Sequence, residues 1–177
     1  SNGYSKRTIS YDKYGYLNTI EFFDRFGKRT KPADEDYSRI LYNFNSEGDL
    51  ISFSYYGEEN QPKEPKNQGF FKLEAKFDSL GRVIDEQFFG IDNKVKLVEN
   101  LGYARKKYSY NGNKIKISFL DELDELNLNN EEYCIIENKF DDNGNTISQF
   151  YFNKSGELAA GYYKNVSGFI KNFDSKN

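Results

Sequence analysis

The chain contains no histidine, no tryptophan and no methionine, and its only cysteine is Cys134. Without histidine it cannot carry a Ser-His-Asp or Cys-His catalytic centre. A single cysteine excludes an intramolecular disulfide and a cysteine-rich zinc site. The lack of methionine suggests a processed chain or an excised piece of a longer one, so the question of a signal peptide stays open.

Long apolar runs and an excess of basic charge are also missing. No stretch approaches the ~18 apolar residues of a spanning helix, which predicts no membrane insertion. The formal net charge is -3, from 25 basic and 28 acidic residues, and this predicts no nucleic-acid partner. The one short basic run, Arg105-Lys106-Lys107, falls on a predicted strand, where alternation sends its middle residue to the opposite face.

Aromatic residues are abundant, with 15 Tyr and 16 Phe, and both types favour β-strands. Many of them belong to a recurring signature, an aromatic followed by Asp or Asn, two residues and Gly. The full copies are Tyr11–Gly15, Phe44–Gly48, Phe77–Gly81 and Phe140–Gly144, with a contracted copy Tyr110-Asn111-Gly112 and an incomplete one at 173–177. The signature glycines stand at 15, 48, 81, 112 and 144, in steps of 33, 33, 31 and 32. Such a period indicates a tandem array in which each unit needs its neighbours.

A second turn follows each signature by about twelve residues. These turns end at residues 27, 60, 93, 124 and 156, in the same steps, and an apolar, mostly aromatic pair precedes each one. The pairs are Phe22-Phe23, Tyr55-Tyr56, Phe88-Phe89, Phe119-Leu120 and Tyr151-Phe152. Two landmarks therefore agree on one period.

Each unit is predicted to be a β-hairpin, because Asp or Asn starts the turn and Gly supplies a positive φ. Strict alternation supports this: Phe71, Leu73, Ala75 and Phe77 share one face, as do Ile40, Tyr42 and Phe44 in the second unit, and Ile136 and Phe140 in the fifth. The shortened copy Tyr110-Asn111-Gly112-Asn113 is a favoured sequence for a tight two-residue turn, with Asn111-Gly112 as its two central residues.

The predicted fold is therefore all-β, with tandem β-hairpin repeats of ~33 residues in about five and a half units. They form one antiparallel meander of about eleven strands, either an open curled sheet or a solenoid. We expect a single repeat domain over 1–177, with units at 3–36, 37–68, 69–101, 102–132 and 133–166 and a partial unit at 167–177. Polar connectors form loops between units, and the one within 121–128 is a loop or a short helix.

The units resemble bacterial Tyr-Asp repeats of the RHS type, through Tyr11–Leu17 and Phe77–Val83. They also resemble MORN-variant repeats, which are likewise tandem hairpins rich in Tyr and Gly. The RHS resemblance implies a curved β-shell, but five and a half units do not enclose a cargo. Both resemblances imply a bacterial protein.

Several groups invite a chemical interpretation and are predicted to be structural. Asp141-Asp142-Asn143-Gly144-Asn145 is similar to the start of a calcium loop, but Phe152 stands where that loop needs Glu. The cluster Asp121, Glu122, Asp124 and Glu125 is predicted to be a solvated edge, with catalysis or cation binding as the alternative. Cys134 is expected in the core. We predict no catalytic residue, no metal and no cofactor.

The predicted function is a non-catalytic binding module that recognises a protein or a glycan, since repeats build extended recognition surfaces. We expect it to be part of a bacterial secreted or surface protein, with a cytoplasmic location as the alternative. An intracellular immunity protein that blocks a toxin is the second hypothesis, favoured by the acidic 121–125 cluster. A β-sheet glycosidase is the third. The candidate binding residues are aromatics in turns or off the main alternation: Tyr14, Tyr16, Phe26, Tyr162 and Tyr163.

Overall fold

The computed structural model describes residues 2–160 and 167–171. Its strands are β1 Lys6–Tyr11, β2 Leu17–Phe23, β3 Arg39–Phe44, β4 Leu50–Tyr56, β5 Lys72–Phe77, β6 Val83–Phe89, β7 Arg105–Asn111, β8 Lys114–Leu120, β9 Ile135–Phe140, β10 Thr146–Phe152 and β11 Gly168–Ile170. They follow one another in chain order in one antiparallel sheet. The described residues contain no helix. This confirms the all-β meander of hairpins, and it makes the 121–128 connector a loop.

The chain divides into two compact units, unit 1 over 1–98 and unit 2 over 99–177. The division falls close to the predicted border at 101/102. Each unit is described separately below.

The signature residues form the first turn of each hairpin. The Asp12 Oδ1 atom accepts hydrogen bonds from the backbone N–H groups of Tyr14 (2.8 Å) and Tyr16 (2.9 Å). Gly15 is left-handed, with φ 89°, a conformation that glycine adopts without steric penalty. Asn45, Asp78 and Asp141 accept the same two hydrogen bonds in their own turns. The signature is therefore used to build the turn.

The contracted turn differs from its prediction by one residue. β7 pairs with β8 without a register shift out to Asn111 and Lys114, so the two-residue loop is Gly112-Asn113 rather than Asn111-Gly112. Gly112 has φ 55° and stands at the first central position, where type II′ turns require glycine. The other hairpins each contain a register shift beside the turn, and the two-residue contraction removes it.

The second turns also agree with their predicted ends. The residues at these ends are all left-handed: Gly27, Asn60, Asn93, Asp124 and Gly156. After each turn the chain makes one bridge back to the preceding strand, as Phe23 does with Arg29 and Tyr56 with Pro62. The second turn is thus a small hairpin of its own, which leads into the connector.

A line of contacting aromatic rings forms the core of unit 1. We call it the ring spine: Tyr4, Phe22, Tyr37, Tyr55, Phe70 and Phe88. Successive ring centroids lie 4.9, 6.3, 5.0, 5.9 and 4.7 Å apart. Half of these rings come from the second strands of the hairpins, and half stand eight residues before a signature Asp or Asn. Each hairpin therefore contributes one ring from its sheet face and one that covers that face.

Unit 2 has a ring spine of the same construction. Phe119 contacts Tyr103 at 4.8 Å and Tyr133 at 5.7 Å, and Tyr133 contacts Tyr151 at 4.7 Å. These four rings are between 5% and 7% exposed. Cys134 is fully buried beside them, and burial raises the pKa of its thiol. The prediction that Cys134 is a core residue is confirmed.

Candidate functional site

The aromatic residues predicted to bind a partner differ in their exposure. Tyr14 is 62% exposed and Phe26 is 79% exposed, as expected for rings in turns. Tyr16 is only partly exposed, because its ring stacks on Phe44 of the next hairpin with centroids 5.4 Å apart. Tyr16 is therefore less exposed than expected for a residue beside a turn, and its role in binding stays a prediction. Tyr162 and Tyr163 lie outside the described residues, so their role stays a prediction.

The carboxylates that suggested a metal or an acidic site take part in turn structure. Asp141 accepts hydrogen bonds from the N–H groups of Asn143 and Asn145 and from the Asn145 side chain, and these bonds lower the pKa of Asp141. Asp121 accepts from the N–H groups of Leu123 and Glu125. Within the described residues, no group of three or more His, Cys, Asp or Glu is arranged to hold a metal ion.

The two faces of each hairpin have different chemistry. We call the face that bears the ring spine the spine face, and the other the polar face. In unit 2, Arg105 and Lys107 lie on the polar face and both contact Asp124, at 2.8 and 2.5 Å. Lys106 points the other way, with its ammonium 5.4 Å from the Tyr103 ring centroid. The predicted alternation of the basic run is confirmed, and Lys107 and Arg105 lower the pKa of Asp124.

A basic residue bridges the polar face at the same place in successive hairpins. Arg39 lies over the Tyr56 ring and its guanidinium donates to Asn60 (2.8 Å). Lys72 repeats this over Phe89, with its ammonium donating to Asn93 (2.7 Å). The left-handed second-turn residue is the acceptor each time, so these side chains tie the second turn to the first strand of the hairpin.

The spine face of unit 1 carries an incompletely covered row of apolar side chains between the ring spine and the first turns. Its most exposed members are Ile9 at 40%, Ile51 at 36% and Ile84 at 36%. Half-buried neighbours on the same face complete it: Ile20, Tyr42, Phe44, Phe53, Leu73 and Phe77. We call these nine residues the apolar strip. Neither turn geometry nor the core explains why this strip is left partly exposed.

Neighbouring hairpins in unit 1 pair with each other only near the ring spine. β2 and β3 are in register over three residue pairs, ending at Thr19 and Leu41. β4 and β5 likewise pair over three residues, ending at Ser52 and Glu74. Within a hairpin the register covers six pairs. Each junction between hairpins therefore has a space on the side of the first turns.

Tyr16 fills the space at the β2/β3 junction. Its ring stacks on Phe44 at an interplanar angle of 28°. It also occupies the space above Gly48, where an added Cβ would lie 2.9 Å from the Tyr16 hydroxyl oxygen. Gly48 is thus needed both for its φ of 93° and for the close approach of this ring.

The equivalent space at the β4/β5 junction is open. The residue that follows the turn glycine is Asp49 instead of a tyrosine, and a Cβ added at Gly81 would meet no atom within 4 Å. The result is a groove of about 750 Å³, which we call the 49/77 groove. Its apolar lining is Ile51, Ala75, Phe77 and Ile84, and its charged lining is Glu47, Asp49, Glu74, Lys76 and Asp78.

The charges of the 49/77 groove are unevenly neutralised. Asp78 pairs with Arg82 at 2.6 Å, and the hydrogen bonds from Arg82 lower its pKa. Glu74 pairs with Lys72 and Lys76 with Asp85. Glu47 and Asp49 accept hydrogen bonds only from the neutral Ser46 and Asn45 side chains, and no cation in the described part of the chain pairs with them. The Asn45 side of the groove is therefore acidic.

In unit 2 the β8/β9 junction is closed. There the residue after the turn glycine is Asn113. Its side-chain amide donates a hydrogen bond to the Phe140 backbone carbonyl (2.6 Å), and its backbone carbonyl accepts one from the Phe140 N–H (2.9 Å). The register between these strands covers five residue pairs and extends to Lys114 and Lys139. The shortened turn thus lets this junction close by backbone pairing.

The residue after the turn glycine therefore differs between these three junctions in step with their state: Tyr16 fills one, Asn113 follows the shortened turn that closes one, and Asp49 leaves one open. Sequence reasoning missed this correspondence, although comparing that one position between the repeats would have shown that the three residues differ in kind. No helix among the described residues is long and apolar enough to cross a membrane. Neither a scan against protein-family models nor a search of curated proteins finds a match for this chain.

Proposed function

We propose that this chain is a non-catalytic binding module that recognises a protein through the apolar strip of unit 1. The observation that carries the proposal is the incomplete cover of the strip, because a large apolar patch on a soluble domain marks an interaction surface. Its most exposed members are isoleucines, and these suit a protein partner. The repeats and their resemblance to bacterial Tyr-Asp or MORN-variant units support a role as part of a bacterial secreted or surface protein.

Glycan recognition is the second candidate, favoured by the exposed rings of Tyr14 and Phe26. These rings lie in two different turns, and sugars are commonly bound on exposed aromatic faces. The acidic cluster that favoured an immunity protein has partners within unit 2: Asp124 binds Arg105 and Lys107. We therefore place a protein partner bound at the apolar strip ahead of both alternatives.

Selection from a phage-displayed library of random peptides, alongside a glycan array, tests the proposal. We expect selected peptides whose affinity falls at least ~10-fold, which is about 1.4 kcal/mol, in the Ile51→Ser and Ile84→Ser variants. Leu123→Ser is the matched control, because Leu123 is 80% exposed in a turn of unit 2, and it should bind normally. Glycan hits that depend on Tyr14 or Phe26, without strip-dependent peptides, would overturn the proposal.

A further inference from the structure

The 49/77 groove is the feature of unit 1 that most clearly lacks an occupant. The β2/β3 junction shows what the same backbone accepts there: a planar side chain that stacks on the aromatic residue that begins the signature. Phe77 is the counterpart of Phe44, and no ring of the described residues stacks on Phe77. The chain therefore contains both a filled and an open version of one site.

The walls of the groove select the chemistry of an occupant. In the filled version the residue after the turn glycine provides the ring, whereas in the open version Asp49 stands at that position and Glu47 lies beside it on the same turn. Both carboxylates lack a cationic partner among the described residues. A side chain that fits must be planar, to stack on Phe77, and cationic, to pair with these carboxylates. Arginine meets both requirements, since its guanidinium stacks on aromatic faces and binds carboxylates.

We propose that the 49/77 groove binds an arginine side chain of the partner protein, with the guanidinium on the Phe77 ring and paired with Asp49 and Glu47. This rests on the proposed function, because the groove shares Ile51, Phe77 and Ile84 with the apolar strip. Ile51 and Ile84 then contact the apolar neighbours of that arginine in the partner.

Two variants separate the arginine site from the general fold. Asp49→Tyr copies the residue at position 16 and should fill the groove with the protein's own ring. Asp49→Asn keeps the shape and removes the charge. In both variants we expect the far-UV circular dichroism spectrum and the thermal unfolding midpoint to match those of the parent chain, since Asp49 is partly exposed and its one side-chain hydrogen bond is to Asn45.

The direct probe is N-acetyl-arginine amide, titrated into the ¹⁵N-labelled full chain and followed by NMR. We expect saturable shifts of the Asp49 and Gly81 amides, at least ~5-fold weaker binding of the neutral, equally planar N-acetyl-citrulline amide, and no such shifts in Asp49→Tyr. Asp49→Asn should bind the arginine probe more weakly than the parent chain and discriminate less against the citrulline probe, because only the Glu47 carboxylate then remains to pair with the guanidinium. Equal binding of the two probes by the parent chain, or unchanged arginine binding by Asp49→Tyr, would overturn the arginine site.

The peptide selection keeps the two proposals distinguishable. Peptides that depend on Ile51 and Ile84 but contain no required arginine would leave the binding module in place and remove the arginine site. Enrichment of arginine, with affinity lost on replacement by citrulline and in Asp49→Asn, supports the arginine site.

Discussion

The aromatic pair before the first hairpin's second turn provides a matched test of the ring spine. Phe22 and Phe23 are neighbours in β2 and point to opposite faces. Phe22 is 8% exposed and contacts Tyr4 and Tyr37 in the spine. Phe23 is half-buried on the polar face, where the Lys6 ammonium lies 5.7 Å from its ring centroid. Both substitutions to alanine remove the same atoms from the same strand.

We expect Phe22→Ala to lower the free energy of unfolding by about 3–5 kcal/mol, as for other buried phenylalanines that leave a cavity. We expect Phe23→Ala to lower the free energy of unfolding by about 1–2 kcal/mol, because it removes half of the burial energy of a phenylalanine and one exposed cation–π contact. Urea unfolding followed by far-UV circular dichroism measures both. Phe26→Ala, at a ring that is 79% exposed, should change stability by less than about 0.5 kcal/mol. Equal losses for Phe22→Ala and Phe23→Ala would refute the claim that the spine is the core.

Three further predictions concern single residues. Burial, reinforced by Glu35, raises the pKa of Tyr37 to about 12, above the ~10 of an unfolded tyrosine. The contribution of the neutral Tyr37 side chain to folding stability is therefore complete below pH ~10 and is lost as the pH rises through ~12. The urea unfolding midpoint should fall less at rising pH in Tyr37→Phe than in the parent chain. Asn93→Asp gives Lys72 a charged partner, as Asp124 is for Arg105 in unit 2. This variant should raise the thermal unfolding midpoint by an amount equivalent to ~0–1 kcal/mol, and high salt should remove the increase. Gly48→Ala should destabilise more than Gly81→Ala, because both have positive φ but only Gly48 contacts Tyr16; equal losses in urea unfolding would contradict a filled β2/β3 junction.

The fold was predictable because its signals are local. Asp12 and Gly15 determine their turn through contacts within five residues, and the left-handed residues of the second turns lie at the positions that the period predicts. The order of the strands then follows from short connections. The error at Asn111-Gly112 has the same origin, since the preference of an isolated turn was applied where the pairing of β7 with β8 places glycine one position earlier in the loop.

The ring spine and the groove were not predictable in the same way, because both depend on contacts between hairpins. Tyr37 and Tyr133 precede their strands, so they are outside the alternation that identified the sheet residues. Tyr16 was expected to be exposed because it follows a turn, and its stacking on Phe44 joins residues 28 positions apart. The open β4/β5 junction was still harder to predict, because it results from the short side chain of Asp49 at the position where Tyr16 fills the β2/β3 junction.

The central proposal is that the protein binds a partner through the apolar strip of unit 1, and that the second turns serve as scaffold. Hydrogen–deuterium exchange on the complex with a selected peptide tests it most directly. We predict slower exchange in 49–53 and 73–77, with the second turns that contain Phe26 and Leu123 unchanged. Slower exchange confined to those second turns, with 49–53 and 73–77 unaffected, would contradict the account.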